Sequence, residues 1–369
     1  MPDFAARIPL SEISSFSQTA TPAATAKFSA AAESAAVLPG AVAVAPPLSL
    51  YVHLPWCAKK CPYCDFNSHQ APKIIPEKEY IRALLADAES LPPLLWGRRV
   101  RSVFIGGGTP SMFSPAAADA LLCGLRALSL LPADAEITLE ANPDSADAVK
   151  FAEFAAAGIN RLSLGAQSFD DNALTSLGRI HDGKAARQGA EAAAAAFDNF
   201  NIDLMHALPA QTAAAAARDV QTALSFNPPH LSLYQLTLEP GTPFFRRPPP
   251  SLPVADDGAD IGDAVFSAAE AAGFRRYEIS AFARPGRECM HNLNYWLFGD
   301  YAGIGAGAHG KITFAGKIRR TERIKHPGEY MRRLAAGESA AAEKPVTRRD
   351  AAFEFMLNAL RLPGGFAPS

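Results

Sequence analysis

From Leu48 onward the chain alternates short runs of β-branched or aromatic residues with longer stretches of helical period. The runs SLYVHL (49–54), VRSVFIG (100–106), EITLEA (136–141), RLSLGA (161–166), FNIDLMH (200–206) and HLSLYQLTL (230–238) predict six strands. Between them, EKEYIRALLADAESL sets Tyr80, Ile81, Leu84, Leu85, Ala88 and Leu91 on one helical face. AADALLCGLRAL does the same with Leu121, Leu122, Leu125 and Leu128. Such faces cover a parallel sheet. The stretch AARQGAEAAAAAF is nearly all alanine and predicts a thin packing helix without chemistry of its own. Six βα units, with no sign of a seventh or eighth, predict an α/β fold: an incomplete (βα)6 TIM-like barrel, open along one side.

In such barrels reactive groups stand where strands end. The polar residues cluster there: His53 to Cys64 after the first strand, Gly106 to Pro110 after the second, Glu140 to Pro143 after the third, Gln167 after the fourth, and Asp203 near the end of the fifth. Flanking regions differ in texture. Residues 1–47 are rich in Ala, Ser, Thr and Pro and predict a flexible extension. The barrel is assigned to 48–245. After the Pro-rich RRPPPSLP, residues 246–369 predict a smaller α+β region, with a helix near IGDAVFSAAEAAG and a strand at RYEISAFA. The chain ends abruptly, soon after an amphipathic helix begins at FEFMLNALRL.

Composition narrows the chemistry. With 35 basic against 37 acidic residues, no bulk positive charge invites nucleic acid. No apolar run approaches the length of a membrane span, and Asp3, Arg7 and Glu12 break any signal-peptide pattern, so a cytoplasmic location is expected. Of five cysteines, Cys57, Cys61 and Cys64 fall within eight residues, too local for a disulfide framework, and point to a metal or cluster. Cys123 lies on a helical face and predicts a core thiol.

The C-x3-C-x2-C triplet follows a strand directly. Three thiolates on one short loop can hold three corners of a 4Fe–4S cubane and leave the fourth iron open. A tetrahedral zinc site with His53 or His69 as fourth ligand is the competing reading. Gly106-Gly107-Gly108-Thr109-Pro110 lets a backbone approach a ligand closely, or simply makes a tight βα turn.

The segment Tyr51-x-His53-x-Pro55-x-Cys57-x3-Cys61-x2-Cys64 resembles the radical S-adenosylmethionine (SAM) superfamily. Within it, the chain is similar over residues 48 to about 362 to the oxygen-independent coproporphyrinogen III oxidases and, more closely, to the HemW haem chaperones. The resemblance implies a 4Fe–4S cluster on the three cysteines, whose open iron chelates SAM, and SAM contacts at Tyr51, Tyr63, Gly107, Gly108, Thr109, Glu140, Gln167, Arg179 and Asp203. The resembled oxidases carry one more cysteine two positions after the third ligand, where this chain has Cys64-Asp65-Phe66. His291-Asn292-Leu293-Asn294-Tyr295-Trp296 matches the HNxxYW signature of the chaperones. It makes His291, Asn292, Tyr295 and Trp296 the haem candidates, with His309, His206 and Cys289 competing as ligand. The implied function is haem binding and transfer to acceptor haemoproteins, including respiratory ones, without oxidase activity. A reductant for the cluster, a peripheral membrane contact through the acceptor and a homodimer are the further partners expected. Members of the family also continue past the position of Leu362 into a small helical domain, so a shortened C-terminus is expected to expose Phe355, Met356 and Leu360.

Overall fold

The computed structural model describes residues 45–95, 97–314 and 317–365. The extension read over 1–47 lies outside them except for its last three positions, which lead irregularly into the first strand.

All six expected strands form: β1 Leu48–Leu54, β2 Val100–Gly107, β3 Glu136–Ala141, β4 Arg161–Gln167, β5 Phe200–His206 and β6 His230–Gln235. They pair in chain order and in parallel. Helices α1 Glu77–Ala88, α2 Pro115–Ala127, α3 Ala148–Ala157, α4 Gly183–Ala196 and α5 Ala213–Ser225 form the crossovers. Four of the five begin at a side-chain cap. Ser114, Asp147, Asp182 and Thr212 each accept a backbone N–H from the third residue of the turn that follows, which fixes where strand-end loops stop.

The predicted apolar faces are buried: Tyr80, Ile81, Leu84 and Ala88 on α1, and Leu121, Leu122 and Leu125 on α2. On α4 the buried face is Ala186, Ala190 and Ala193, the thin spacer expected of that composition. Cys123 departs from expectation. It is exposed on α2, where its thiol lies 3.6 Å from Asp119 Oδ1. The apolar stripe of that helix is satisfied by leucines, and position 123 falls on its outer side.

The sheet does not stop at six strands. After α6 (Ala255–Ala271), the region read as one strand at RYEISAFA divides into β7 Arg275–Arg276 and β8 Ala281–Ala283, and β8 adds antiparallel to β6. A short helix α7 (Met290–Trp296) follows. Then β9 (Asp300–Ile304) joins the opposite edge, parallel to β1 with Leu48 facing Asp300 and Val52 facing Ile304. β10 His309–Phe314, β11 Lys317–Arg323 and β12 Ala341–Pro345 continue antiparallel, with α8 Pro327–Ala335 between the last two and α9 Arg348–Ala359 at the end. The result is one twelve-stranded sheet with seven parallel strands at its centre, running without a break across position 245. The six βα units stand as expected, and a seventh parallel strand adds to their edge without a helix of its own. Asp300–Ile304 is five residues long and is followed by a Gly-rich loop in place of a helix, so it lacks the βα signature.

Asp300 pins β9 from the inside. Its Oδ1 accepts from Lys311 Nζ and Thr313 Oγ1, both at 2.8 Å, and its Oδ2 accepts from Arg98 Nη1 at 2.8 Å and Thr313 N at 2.7 Å. On α9, Met356 and Leu360 are exposed, whereas Phe355 packs edge-on against Phe298 at 5.7 Å. Among the described residues no helix is long and apolar enough to cross a membrane.

Candidate functional site

The three cysteines occupy the loop that leaves β1, all half-buried. That loop is held by backbone bonds at both ends: Cys64 N donates to Cys61 O at 3.2 Å, Ala71 N to Cys57 O at 2.8 Å and His69 N to Pro55 O at 2.7 Å. The glycine triplet at the end of β2 lies directly beneath it. Gly108 N donates to Leu54 O at 2.7 Å and Thr109 N to Trp56 O at 2.8 Å. A Cβ on Gly108 would stand 2.4 Å from Trp56 O, and one on Gly107, whose φ is +119°, would stand 2.6 Å from the His53 ring. Gly108 is glycine because the cysteine loop lies on its backbone, Gly107 because the His53 ring does, and a Cβ on Gly106 would press on Glu140.

Around the thiols the strand ends converge. Arg179 reaches Cys61 Sγ and Tyr63 Oη through Nη1, each at 3.5 Å, and donates through Nη2 to Asn142 Oδ1 at 2.9 Å and Gly165 O at 3.1 Å. Asn142 in turn donates to Thr109 Oγ1 at 2.9 Å. Cys61, Thr109, Asn142 and Arg179 thereby line one cleft. Burial opposes the Arg179 charge, but the neighbouring Tyr63 and Cys61 outweigh it and hold the guanidinium firmly protonated. Burial pushes the thiols of Cys57 and Cys64 upward. A positive iron centre would reverse that shift by stabilising thiolate.

Deeper in the barrel, Glu140 Oε2 accepts from Gly107 N at 3.1 Å. Its carboxyl is pushed up to about 7, mainly by burial and further by the charge of Asp203. Asp203 sits at the middle of β5, further down than the strand-end position expected. It accepts from Asn201 Nδ2 at 2.7 Å and Ser163 Oγ at 3.3 Å, and burial raises it too. Gln167 closes β4 in a left-handed conformation, φ +67°, beside a break in the pairing with β5, and accepts a hydrogen bond from Tyr234 Oη. A non-glycine residue held there is a strained one, aimed by its surroundings.

Glu140 yields a pH test. Its folded pKa lies above the usual carboxylate value, so its contribution to stability is present below about 4.5 and declines as pH rises through about 7. Urea denaturation of the wild type and Glu140→Gln across that window should therefore show the variant gaining on the wild type as pH rises. A pH-independent gap would contradict the raised pKa.

The zinc alternative meets its clearest obstacle at His53. His53 Nε2 donates to Asn67 O at 2.9 Å, which leaves Nδ1 as acceptor of the Tyr51 hydroxyl at 2.9 Å, so neither nitrogen is free. His69 Nε2 is taken by Lys325 O at 3.2 Å. Among the described residues no three His, Cys, Asp or Glu side chains converge on a point that one ion could occupy. Cluster thiolates need not converge, since each binds a different iron. The donor set therefore fits a cubane better than a single zinc.

The HNxxYW segment forms α7 beneath the barrel. His291 is 2% exposed; its N–H donates to Glu136 Oε1 at 3.3 Å, Nδ1 lies 3.2 Å from Ser102 Oγ, and Nε2 is buried without a partner. Its ring stacks near Phe104 at 5.0 Å and Tyr295 at 4.9 Å, and burial lowers its pKa to about 3. Asn292, Tyr295 and Trp296 are half-buried, and Arg361 covers the Trp296 ring at 4.2 Å. His206 and Cys289 are buried, while His309 is exposed beside Glu322. The cysteines, the glycine triplet and Arg179 thus gather at one end of the barrel and α7 lies toward the other, with Tyr51 between them, its ring centroid 6.4 Å from that of His291. Sequence reasoning passed over Asn142 and Tyr234, which orient Arg179 and Gln167. Asn142 stood inside a strand-end segment already marked as polar, which was its one signal.

Comparison with known proteins agrees with this geometry. The Radical SAM superfamily profile matches residues 51–222. The haem chaperone HemW of Escherichia coli is 49% identical over 86% of this chain and 83% of its own length, and that of Haemophilus influenzae is 47% identical over the same shares. The bovine mitochondrial radical SAM domain-containing protein 1 is 41% identical over 86% of this chain and 74% of its own. Among solved structures, the E. coli coproporphyrinogen III oxidase HemN, a radical SAM enzyme, superposes with a TM-score of 0.74 at 26% identity, covering 90% of this chain and 79% of that one. Identity at this level across four fifths of the relatives, on a barrel with the three-cysteine loop at its mouth, means that the chain belongs to the HemW haem chaperone family of the radical SAM superfamily.

Proposed function

We propose that this protein binds haem and passes it to acceptor haemoproteins, and that it carries a 4Fe–4S cluster and SAM. The observation that supports this best is the identity with the HemW relatives, long enough to take in both the cysteine loop and α7. Cys57, Cys61 and Cys64 are the cluster ligands in this reading. The bound cluster supplies an iron open to SAM and a path for an electron from a reductant.

The chain's own groups do the positioning. Arg179, fixed by Asn142 and Gly165, offers a guanidinium to a carboxylate. Glu140 and Asp203 offer acceptors to an ammonium or to hydroxyls, and Gln167 is turned inward by its strained backbone. Gly107, Gly108 and Thr109 form a floor close to the loop. Tyr63 flanks the thiols through Arg179, and Tyr51 stands deeper, bonded to His53.

Haem is the cargo, held at α7. The unpartnered Nε2 of His291 is a nitrogen whose burial costs free energy until it finds a partner, which makes it the preferred ligand over His309. Reaching a haem requires α7 to loosen its bonds to Glu136 and Ser102. The likeness to HemN keeps an oxidase as the second reading, weakened by Asp65-Phe66 where the further cysteine would stand.

Two measurements on one anaerobic preparation separate these. Haem titration should give a saturable Soret shift, weakened at least about tenfold by His291→Ala and little by His309→Ala. The opposite pattern would move the ligand to His309. Incubation of the reduced, cluster-loaded protein with SAM and coproporphyrinogen III should yield no protoporphyrinogen; product formed in step with 5'-deoxyadenosine would make it an oxidase.

A further inference from the structure

One contact outside the residues assigned so far joins the cysteine loop to the Gly-rich loop between β9 and β10. Asn67, three residues after Cys64, donates through Nδ2 to Ala306 O at 3.0 Å and to Lys325 O at 2.9 Å. Its own carbonyl accepts from His53 Nε2 at 2.9 Å. Because a carbonyl can only accept, this bond places the imidazole proton on Nε2 and makes Nδ1 the acceptor of the Tyr51 hydroxyl at 2.9 Å. A single residue thus spans from the second region of the chain to the side chain at the barrel mouth.

The surroundings leave Asn67 little freedom. A Cβ on Gly307, whose φ is +81°, would lie 2.2 Å from Asn67 Nδ2, so the Gly-rich loop is shaped around the carboxamide. Tyr80 Oη donates to His53 O and accepts from Ala306 N, both at 2.9 Å, which ties the end of β1 to the same Gly-rich loop. The His53 ring fills the space over Gly107. Behind them a buried network of Asp87, Arg323 and Tyr330 holds Gly305 N, so the loop that receives Asn67 is itself rigid.

We propose that Asn67 is a positioning residue: its carboxamide clamps the cysteine loop onto the loop 305–308, and its backbone carbonyl holds His53, and through it the Tyr51 hydroxyl, in the arrangement that receives SAM. This rests on the reading of Tyr51 as part of the SAM site. The clamp acts through hydrogen bonds and leaves all three thiols in place, so its removal loosens SAM and spares the cluster.

The test uses the full chain, anaerobically loaded with iron and sulfide, and three variants: Asn67→Ala, Tyr51→Phe and the pair combined. Iron content, SAM affinity by equilibrium dialysis, and the change that SAM produces in the electron paramagnetic resonance signal of the reduced cluster are read together. In Asn67→Ala, iron per chain should stay at the wild-type level while the SAM dissociation constant rises about tenfold and the SAM-induced spectral change weakens. The double variant should bind SAM no more weakly than the worse single one, since Asn67→Ala frees the backbone carbonyl that holds His53 to shift and Tyr51→Phe breaks the next bond of the same chain. Gly307→Ala, which pushes on the carboxamide from the other side, should act in the same direction. Unchanged SAM affinity and spectrum in a fully loaded Asn67→Ala, or effects of Asn67→Ala and Tyr51→Phe that simply add, would overturn the proposal. Absence of SAM binding by the wild type would instead remove the SAM reading on which it rests.

Discussion

Replacing Cys57, Cys61 or Cys64 singly by alanine should reduce iron after anaerobic reconstitution from about four to below about one per chain, and should abolish the brown absorbance of the cluster. The loop offers no further thiolate, and its neighbouring side chains are poorly suited to replace one. His53 has both ring nitrogens engaged, His69 is bonded to Lys325 O, and Ser68 Oγ approaches Cys64 only at 3.8 Å. Two thiolates on a loop of this length cannot retain a cubane once a third corner is bare. Cys123→Ala and Cys289→Ala are the controls, one thiol lying exposed on α2 and the other buried beneath the barrel. A variant of the triplet that kept a full complement of iron would refute the cluster assignment.

Asp300→Ala should be the most destabilising single change away from the site, by about 3–5 kcal/mol, read as a lower urea midpoint in the apo protein. The carboxylate is fully buried and receives bonds from Lys311, Arg98 and Thr313. Lys311 is itself buried; burial lowers its pKa, and the Asp300 charge opposes that shift. Removing Asp300 strands this ammonium in a low-dielectric interior, whereas Asp300→Ala combined with Lys311→Met should recover part of the loss. A loss below about 1 kcal/mol for the single variant would mean that the surrounding groups rearrange to water, and that β9 is not held from within.

What the sequence made legible follows from the physics of each element. The six barrel strands are buried over most of their length and carry runs rich in β-branched, leucine and aromatic residues, and the three thiols are close in sequence because one loop must wrap one cluster. Long-range pairings leave no such trace. β9 has no helix after it and two glycines around it, and its partner β1 lies at the other end of the chain. Cys123 was misplaced because helical period alone does not say which side of the stripe a small residue takes. The roles of Asn142, Tyr234 and Asn67 depend on side chains that meet only after folding. His291 shows the same limit: its motif is plain in the sequence, but its burial under Phe104 is a property of the packed sheet.

The partnership of β1 with β9 also has a consequence in time. The strand that leads into the cysteine loop gains one neighbour from β2 at once, but its other edge stays open until the chain has grown about 250 residues further, to Asp300–Ile304. At ribosomal speeds of about 5–20 residues per second, that is on the order of ten seconds or more during which the emerging protein presents an unpaired apolar strand beside three reduced thiols. The loop between β9 and β10, which supplies the backbone groups that Asn67 grips, emerges only with it. The full support of the cysteine loop is thereby assembled only after the last parallel strand has docked.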